Sequence, residues 1–170
     1  MSDRTFVDRF ARLVDESASR LLALSDAAAA VPRSPGKWSP KEIVGHLIDS
    51  AVNNHARFVR AQLGDDLVFD GYEQDAWVGV QRYRDQPWTE LVDDWRSANR
   101  RIAAVMRAAP DAELDRVRAR HNLDAVAFAP PTSAEQATLG YFMRDYVAHA
   151  EHHLRQILQA PTAIDAAPRS

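Results

Sequence analysis

His149 and His153 stand four residues apart in the segment 132–159, TSAEQATLGYFMRDYVAHAEHHLRQILQ, the stretch of the chain densest in metal-competent side chains. Four residues is about one helical turn, so on a helix both imidazoles share a face and can converge on one ion. The same spacing suits two histidines at the edge of a core face. The zinc-protease pattern, in which Glu directly follows the first His, is absent. On the same face Asp145, one turn before His149, is a candidate general base, and Gln156, one turn beyond His153, can orient a ligand or a metal-bound molecule.

The rest of the chain limits what those histidines can do. With no cysteine, disulfides, thiolate metal sites and cysteine nucleophiles are excluded, and any metal is held by His or carboxylate. A net charge of −3 with mixed signs leaves no electrostatic footprint for nucleic acid. No run is apolar enough to span a bilayer, and the opening MSDRTF lacks a signal-peptide core. The expectation is a soluble cytoplasmic protein. Its 170 residues suit a single domain over residues 1–160, and the tail 161–170 has too little to bury and is expected to be flexible.

Four long helices must position the histidines. Phe6, Phe10, Leu13, Val14, Ser17, Leu21, Leu24 and Ala28 recur at steps of three and four and predict a first helix from about Arg4 to Ala30, ended by the PRSPG turn. Ser39-Pro40-Lys41-Glu42 has the form of a capping box with Pro at the first helical position, and opens a second helix to about Leu63. That helix carries an apolar stripe through Val44, Ile48, Ala51, His55 and Phe58. A polar line through Glu42, His46, Ser50, Asn53 and Arg57 reads as a solvated face, with His46 at a buried edge between Ile43 and Leu47.

From Gly64 to Pro87 the periodicity lapses except for one helical turn near residues 72–80. Such a long connection is more often functional than idle. Tyr72, Asp75 and Trp77 in it either roof a pocket, with Asp75 a second candidate base, or seal the end of the bundle. A third helix runs from about Trp88 or Thr89 to Ala109 with Asn99 at an apolar position, and His121 lies in the following loop, where exposure is expected. Thr132 and Glu135 form a second capping box, which starts the fourth helix at Thr132. Four helices without a strand pattern predict an all-α four-helix bundle with long connections between helices 2 and 3 and between 3 and 4. If the bundle brings helices 2 and 4 together, His46 supplies a third imidazole and leaves a coordination position open.

The strings Lys37-Trp38-Ser39-Pro40-Lys41-Glu42-Ile43-Val44-Gly45-His46-Leu47-Ile48-Asp49-Ser50, Tyr72-Glu73-Gln74-Asp75-Ala76-Trp77-Val78 and His149-Ala150-Glu151-His152-His153-Leu154-Arg155-Gln156-Ile157 resemble the DinB/YfiT-like superfamily over about Phe6 to Leu158. The resemblance implies a four-helix bundle holding one divalent ion on His46, His149 and His153, with Asn53, Tyr72, Trp77 and Gln156 as pocket candidates. It implies a metal-dependent hydrolase, or a transferase that uses a low-molecular-weight thiol such as bacillithiol or mycothiol on a small-molecule substrate, and a homodimer. Zn2+ is the first expectation for the ion, though imidazole also accepts Ni2+, Fe2+, Mn2+ or Co2+. Arg155 stands where many relatives carry a small residue before the Gln. His152, one residue out of phase, reads as surface or supporting rather than as a ligand. The competing expectation is a non-catalytic, metal-stabilised bundle used for dimerisation or interaction.

Overall fold

The helix that carries His46 begins where its sequence says it should. Ser39 Oγ accepts from the Glu42 amide at 3.4 Å while the Glu42 carboxylate takes the Ser39 N–H at 2.8 Å, and Pro40 fills the first helical position. In the computed structural model, which describes residues 4–159, four long helices form the bundle: α1 (Thr5–Leu21), α3 (Pro40–Ala61), α5 (Trp88–Ala108) and α8 (Leu139–Leu158). Shorter helices α2 (Asp26–Ala29), α4 (Gln74–Gln81), α6 (Asp111–Asp115) and α7 (Leu123–Val126) lie in the connections, with 3-10 turns at Tyr83–Asp85 and Ala134–Gln136. Only two isolated β-bridges, Leu67 with His121 and Val117 with Thr138, occur among the described residues. The expected flexible tail, 161–170, lies outside them. No described helix is long and apolar enough to cross a membrane.

Around the bundle the order is α1, α5, α3, α8, each packed on the next and α8 closing on α1. Pairings fix the directions. Asp8 meets Arg107 while Leu21 O accepts from the Trp88 indole, so α1 and α5 are antiparallel. His46 meets His149 while Phe58 meets Phe142, so α3 and α8 are antiparallel. Phe10 packs on Tyr146 and Arg20 reaches Leu158 O, so α1 and α8 are parallel. It follows that α3 and α5 are parallel neighbours. A parallel pair needs a connection that returns the full length of the helix, which is why residues 62–87 form a long crossover.

Two networks hold that arrangement. Lys41, buried, bonds the Asp26 carboxylate at 2.8 Å and Gln86 O at 2.8 Å, and Asp26 also accepts from the Trp88 amide, so α2 and the starts of α3 and α5 share one hub. At the other end Arg118, also buried, donates to Ala61 O at the end of α3 and pairs with Glu113 at 2.8 Å. Between them Phe10, Phe58, Phe142 and Tyr146 meet edge to face in the core. Asn99 does not face a pocket: it accepts from Tyr146 OH at 2.6 Å and donates to Trp95 O, joining α5 to α8.

Several expected boundaries move. The first helix stops at Leu21 instead of Ala30, because the Trp88 indole takes Leu21 O and Ser25 caps a separate helix that aims Asp26 at Lys41. The last helix starts at Leu139, capped by Thr138, whose hydroxyl accepts from the Tyr141 amide at 3.0 Å. Thr132 instead donates to the Gln136 side chain. The Arg118 amide bonded to Ala137 O takes that carbonyl out of any helix, and Thr138 is extended before α8 begins. His121 is half-buried beside the Leu67 bridge, not exposed.

Tyr83 anchors the end of the crossover on α3, donating to Asp49 at 2.6 Å, and its ring occupies the space where a Cβ on Gly45 would stand. Ala in place of helical Gly ordinarily gains about 1 kcal/mol, but overpacking of this kind costs about 1–3 kcal/mol. Gly45→Ala is therefore expected to destabilise the fold by up to roughly 2 kcal/mol net in urea denaturation. A more stable variant would show that Tyr83 does not wedge against α3.

Candidate metal centre

Antiparallel packing of α3 on α8 sets His46 of one helix against His149 and His153 of the other. His46 Nε2 lies 3.1 Å from His149 Nε2, the three ring centroids are 4.6–5.1 Å apart, and one ligand nitrogen from each ring falls within 4.8 Å of the others. Among the described residues this is the only such group of three His, Asp or Glu. His153 Nδ1 bonds Gln156 Oε1 at 3.0 Å, and the Gln156 amide nitrogen meets His152 Nε2 at 3.1 Å. With its oxygen toward His153, Gln156 holds the proton on Nδ1 and leaves the Nε2 lone pair facing the cluster, as supporting residues of metal histidines commonly do. His149 Nδ1 faces Ser50 Oγ at 3.5 Å, which likewise leaves Nε2 as the inward nitrogen.

That donor set fits a divalent ion. A tetrahedral zinc ion with bonds of about 2.0–2.1 Å spaces its ligand nitrogens by roughly 3.3 Å, close to the 3.1 Å between His46 and His149. The rings are also in the protonation state a metal requires. Burial, with the neighbouring His153 adding to it, pushes His46 down to about 4. Burial and the three surrounding histidines push His149 down to about 3. Burial also lowers His153, against the opposing bond from Gln156.

A cavity of about 660 Å³ opens onto His149 and His153. The α3 line expected to face solvent forms part of its wall: Ser50 and Arg57 are buried, and His46 is fully so. The physical reason is that α3 is flanked by α5 and α8 and partly covered by the crossover, so its solvated side is the one carrying Val52, Ala56 and Val59 and not the polar line. Asn54, not Asn53, lines the cavity; Asn53 instead donates to Asp49 O and borders neither cavity near the cluster. Tyr72 lines the wall with Trp77 packed on it at 4.8 Å. Burial, helped by the Asp49 charge, raises Tyr72 to about 12, so at neutral pH it is a hydroxyl donor.

Asp145 is buried on the cavity wall, where burial raises its pKa. Its two oxygens accept the Phe128 and Ala129 amides at 2.8 and 2.7 Å. It therefore pins the segment whose Phe128 ring packs on His149 and His152. Asp75 is exposed and borders a second cavity of about 510 Å³ with Trp38, His153 and Gln156, so it does not share the main cavity with Asp145. Sequence reasoning missed Asn54 and Phe128. Asn54 is one position off the polar line, and Phe128 sits in a loop without periodicity to mark it.

Residues 9–157 match the sequence profile of the DinB superfamily. A Bacillus subtilis protein, YfiT, provisionally named a metal-dependent hydrolase, is 22% identical over 156 residues, covering 89% of this chain and 82% of that protein. A Bacillus licheniformis protein with the same provisional description is 22% identical over 134 residues, covering 79% of this chain and 70% of its own. The solved structure of Bacillus subtilis YfiT, described as an unusual four-helix bundle topology, aligns with a TM-score of 0.70 at 20% identity, over 92% of this chain and 86% of that one.

The depressed histidines carry a pH dependence. Unfolded imidazoles bind protons below about 6.5, while the folded His46 and His149 remain neutral until about 4 and 3. Between those values the unfolded chain binds more protons, so their contribution is complete above pH 6.5 and is lost as pH falls toward 4 and 3. In metal-free protein the melting temperature is expected to fall between pH 7 and 4.5, and to fall less in the His46→Gln, His149→Gln double variant. Parallel pH profiles for the two proteins would contradict this.

Proposed function

The chain belongs to the DinB superfamily, and from that premise we propose that it is an enzyme acting on a small molecule through one divalent ion held by His46, His149 and His153. Carrying the reading is the meeting of three neutral imidazoles, with no fourth ligand grouped with them among the described residues, beside a cavity large enough for a ligand. A closed structural site would have no such access, which weighs against a purely stabilising ion. The bound ion, Zn2+ by first preference, supplies Lewis acidity that makes water or a thiol acidic near neutral pH.

The chain's own groups do the rest. Gln156 keeps the His153 lone pair aimed at the cluster, Tyr72 offers a hydroxyl to a bound substrate, and Phe128 and Phe142 give the cavity apolar walls. Both Asp145 oxygens are occupied by backbone amides, and Glu73 is exposed at the cavity's edge. A buried carboxylate base beside the cluster is thus lacking among the described residues, which favours a nucleophile that loses its proton readily. A thiol meets that condition better than water. His153 also borders both cavities, leaving room for two reactants at one centre. Transfer of a low-molecular-weight thiol to an electrophile is therefore the reading preferred over hydrolysis.

We place the protein in the cytoplasm, where such thiols are reduced. We also expect a homodimer, supported by Val52 and Val59 exposed on α3 and Leu63 exposed just past its end.

Purified protein is expected to carry about one divalent ion per chain, and His149→Ala to lose it. Gln156→Leu is expected to keep the stoichiometry but weaken affinity about 10–100-fold, the usual effect of removing a supporting partner. Equal metal in wild type and His149→Ala would remove His149 from the site. Given bound metal, a panel of electrophiles assayed with and without small thiols is expected to show thiol-dependent turnover. Turnover that ignores thiols would make the enzyme a hydrolase.

A further inference from the structure

Three cationic side chains are buried among the described residues, and they are not treated alike. Lys41 is matched by Asp26 at 2.8 Å and Arg118 by Glu113 at 2.8 Å. Arg57 is 7% exposed, yet no carboxylate of a described residue lies within 4 Å of it, and the Asp70 charge acts on it only from farther away. Its guanidinium donates only to Asp70 O and, at 3.4 Å, to Asn54 Oδ1, leaving donors unused on a group that carries five N–H. Burying a charge without a counter-charge is costly. The cost is justified where a ligand supplies the missing anion, and Arg57 sits on the wall of the main cavity.

We propose that Arg57, with Tyr72 beside it, binds a carboxylate or phosphate of the substrate at the end of the cavity away from the three histidines. The proposal rests on the catalytic reading above and adds the substrate's chemical class. His46, Ser50, Asn54 and Arg57 follow one another at steps of four, four and three on α3, so a single helix face runs from the cluster to the guanidinium. Eleven residues of helix rise roughly 16 Å, and the long Arg side chain shortens that span. The ligand is therefore extended, with its anionic group roughly 10–16 Å from its reacting atom. Between the two, Val126, Ala127, Phe128 and Phe142 line the cavity and suit an apolar middle. A guanidinium takes carboxylate and phosphate in the same forked geometry, so both belong to the class. Tyr72, held protonated by burial, adds a donor that does not repel the anion.

The test titrates metal-loaded protein by calorimetry with phenylbutyrate, phenylbutyl phosphate and phenylbutanol, using wild type, Arg57→Gln, Arg57→Lys and His149→Gln, with bound metal measured in each. Wild type is expected to bind at least one of the anions about tenfold or more tighter than the alcohol, the ordinary effect of a charged hydrogen bond. The stronger anion identifies the headgroup. That preference is expected to vanish in Arg57→Gln with metal content unchanged, and to persist in His149→Gln. A preference that survives Arg57→Gln but disappears with His149 places the anion on the metal and overturns the proposal, as does the absence of any preference in wild type. Should Arg57→Gln fail to fold, the Arg57 Nε–H resonance of wild type decides, assigned by its absence from Arg57→Lys. It is expected to shift with the anion and not with the alcohol, and an unmoved resonance overturns the proposal. Absence of metal from wild type would sink the catalytic reading while leaving the anion preference measurable.

Discussion

One buried and two half-buried imidazoles can pack together only if they stay uncharged, and that requirement rests on how α3 meets α8. Because the two helices run antiparallel, His46 near the start of α3 faces His149 and His153 near the end of α8, while Phe58 and Phe142 pack together at the opposite end. The aromatic end supplies apolar burial and the histidine end gives some of it up. Desolvation keeps the rings neutral, which is also the state that binds an ion. Packing and ligand chemistry thus require the same protonation state and do not compete.

The parallel relation of α3 and α5 has a second effect. A chain that must travel back along the bundle before starting α5 places residues 62–87 over α3, and Tyr72 on this crossover becomes a cavity wall. The return is anchored where it ends, by Tyr83 on Asp49 and by the Lys41 hub that gathers Asp26, Gln86 and the start of α5. In a bundle of four adjacent antiparallel helices, short turns would leave α3 uncovered on this side. Topology therefore supplies the enclosure that turns a histidine pair on a helix into a site with walls.

Much of this was legible wherever local chemistry decides the outcome. The Ser39 cap depends on residues within one turn, and so does the four-residue spacing of His149 and His153; both survive into the structure unchanged. The resemblance to a known family supplied His46 as their partner, which spacing alone left conditional. What was misread depends on distant residues. Thr132 and Glu135 have the local form of a cap, but only a 3-10 turn forms there, and the Arg118 amide on Ala137 O delays the α-helix until Thr138 caps it. Leu21 ends α1 because an indole from another helix takes its carbonyl. The polar line on α3 was read as solvated because a single helix does not say how many of its sides will be covered. A polar residue that must end up buried looks, in sequence, like one that faces water.

That ambiguity also shows how the bundle divides its polar groups. Lys41 and Arg118 lie at opposite ends of α3, each neutralised by a carboxylate and spent on joining elements. Asp145, a carboxylate with no cation paired to it, is satisfied by two backbone amides and holds Phe128 against the histidines. Each of these groups has its partner within the chain and so is part of the scaffold. Arg57, by contrast, has no described carboxylate in contact and donates only to Asp70 O and Asn54 Oδ1. Unmet polar capacity is expensive in a protein interior. Where it belongs to Arg57, on the wall of a cavity, it marks a place where a partner from outside the chain completes the bonding.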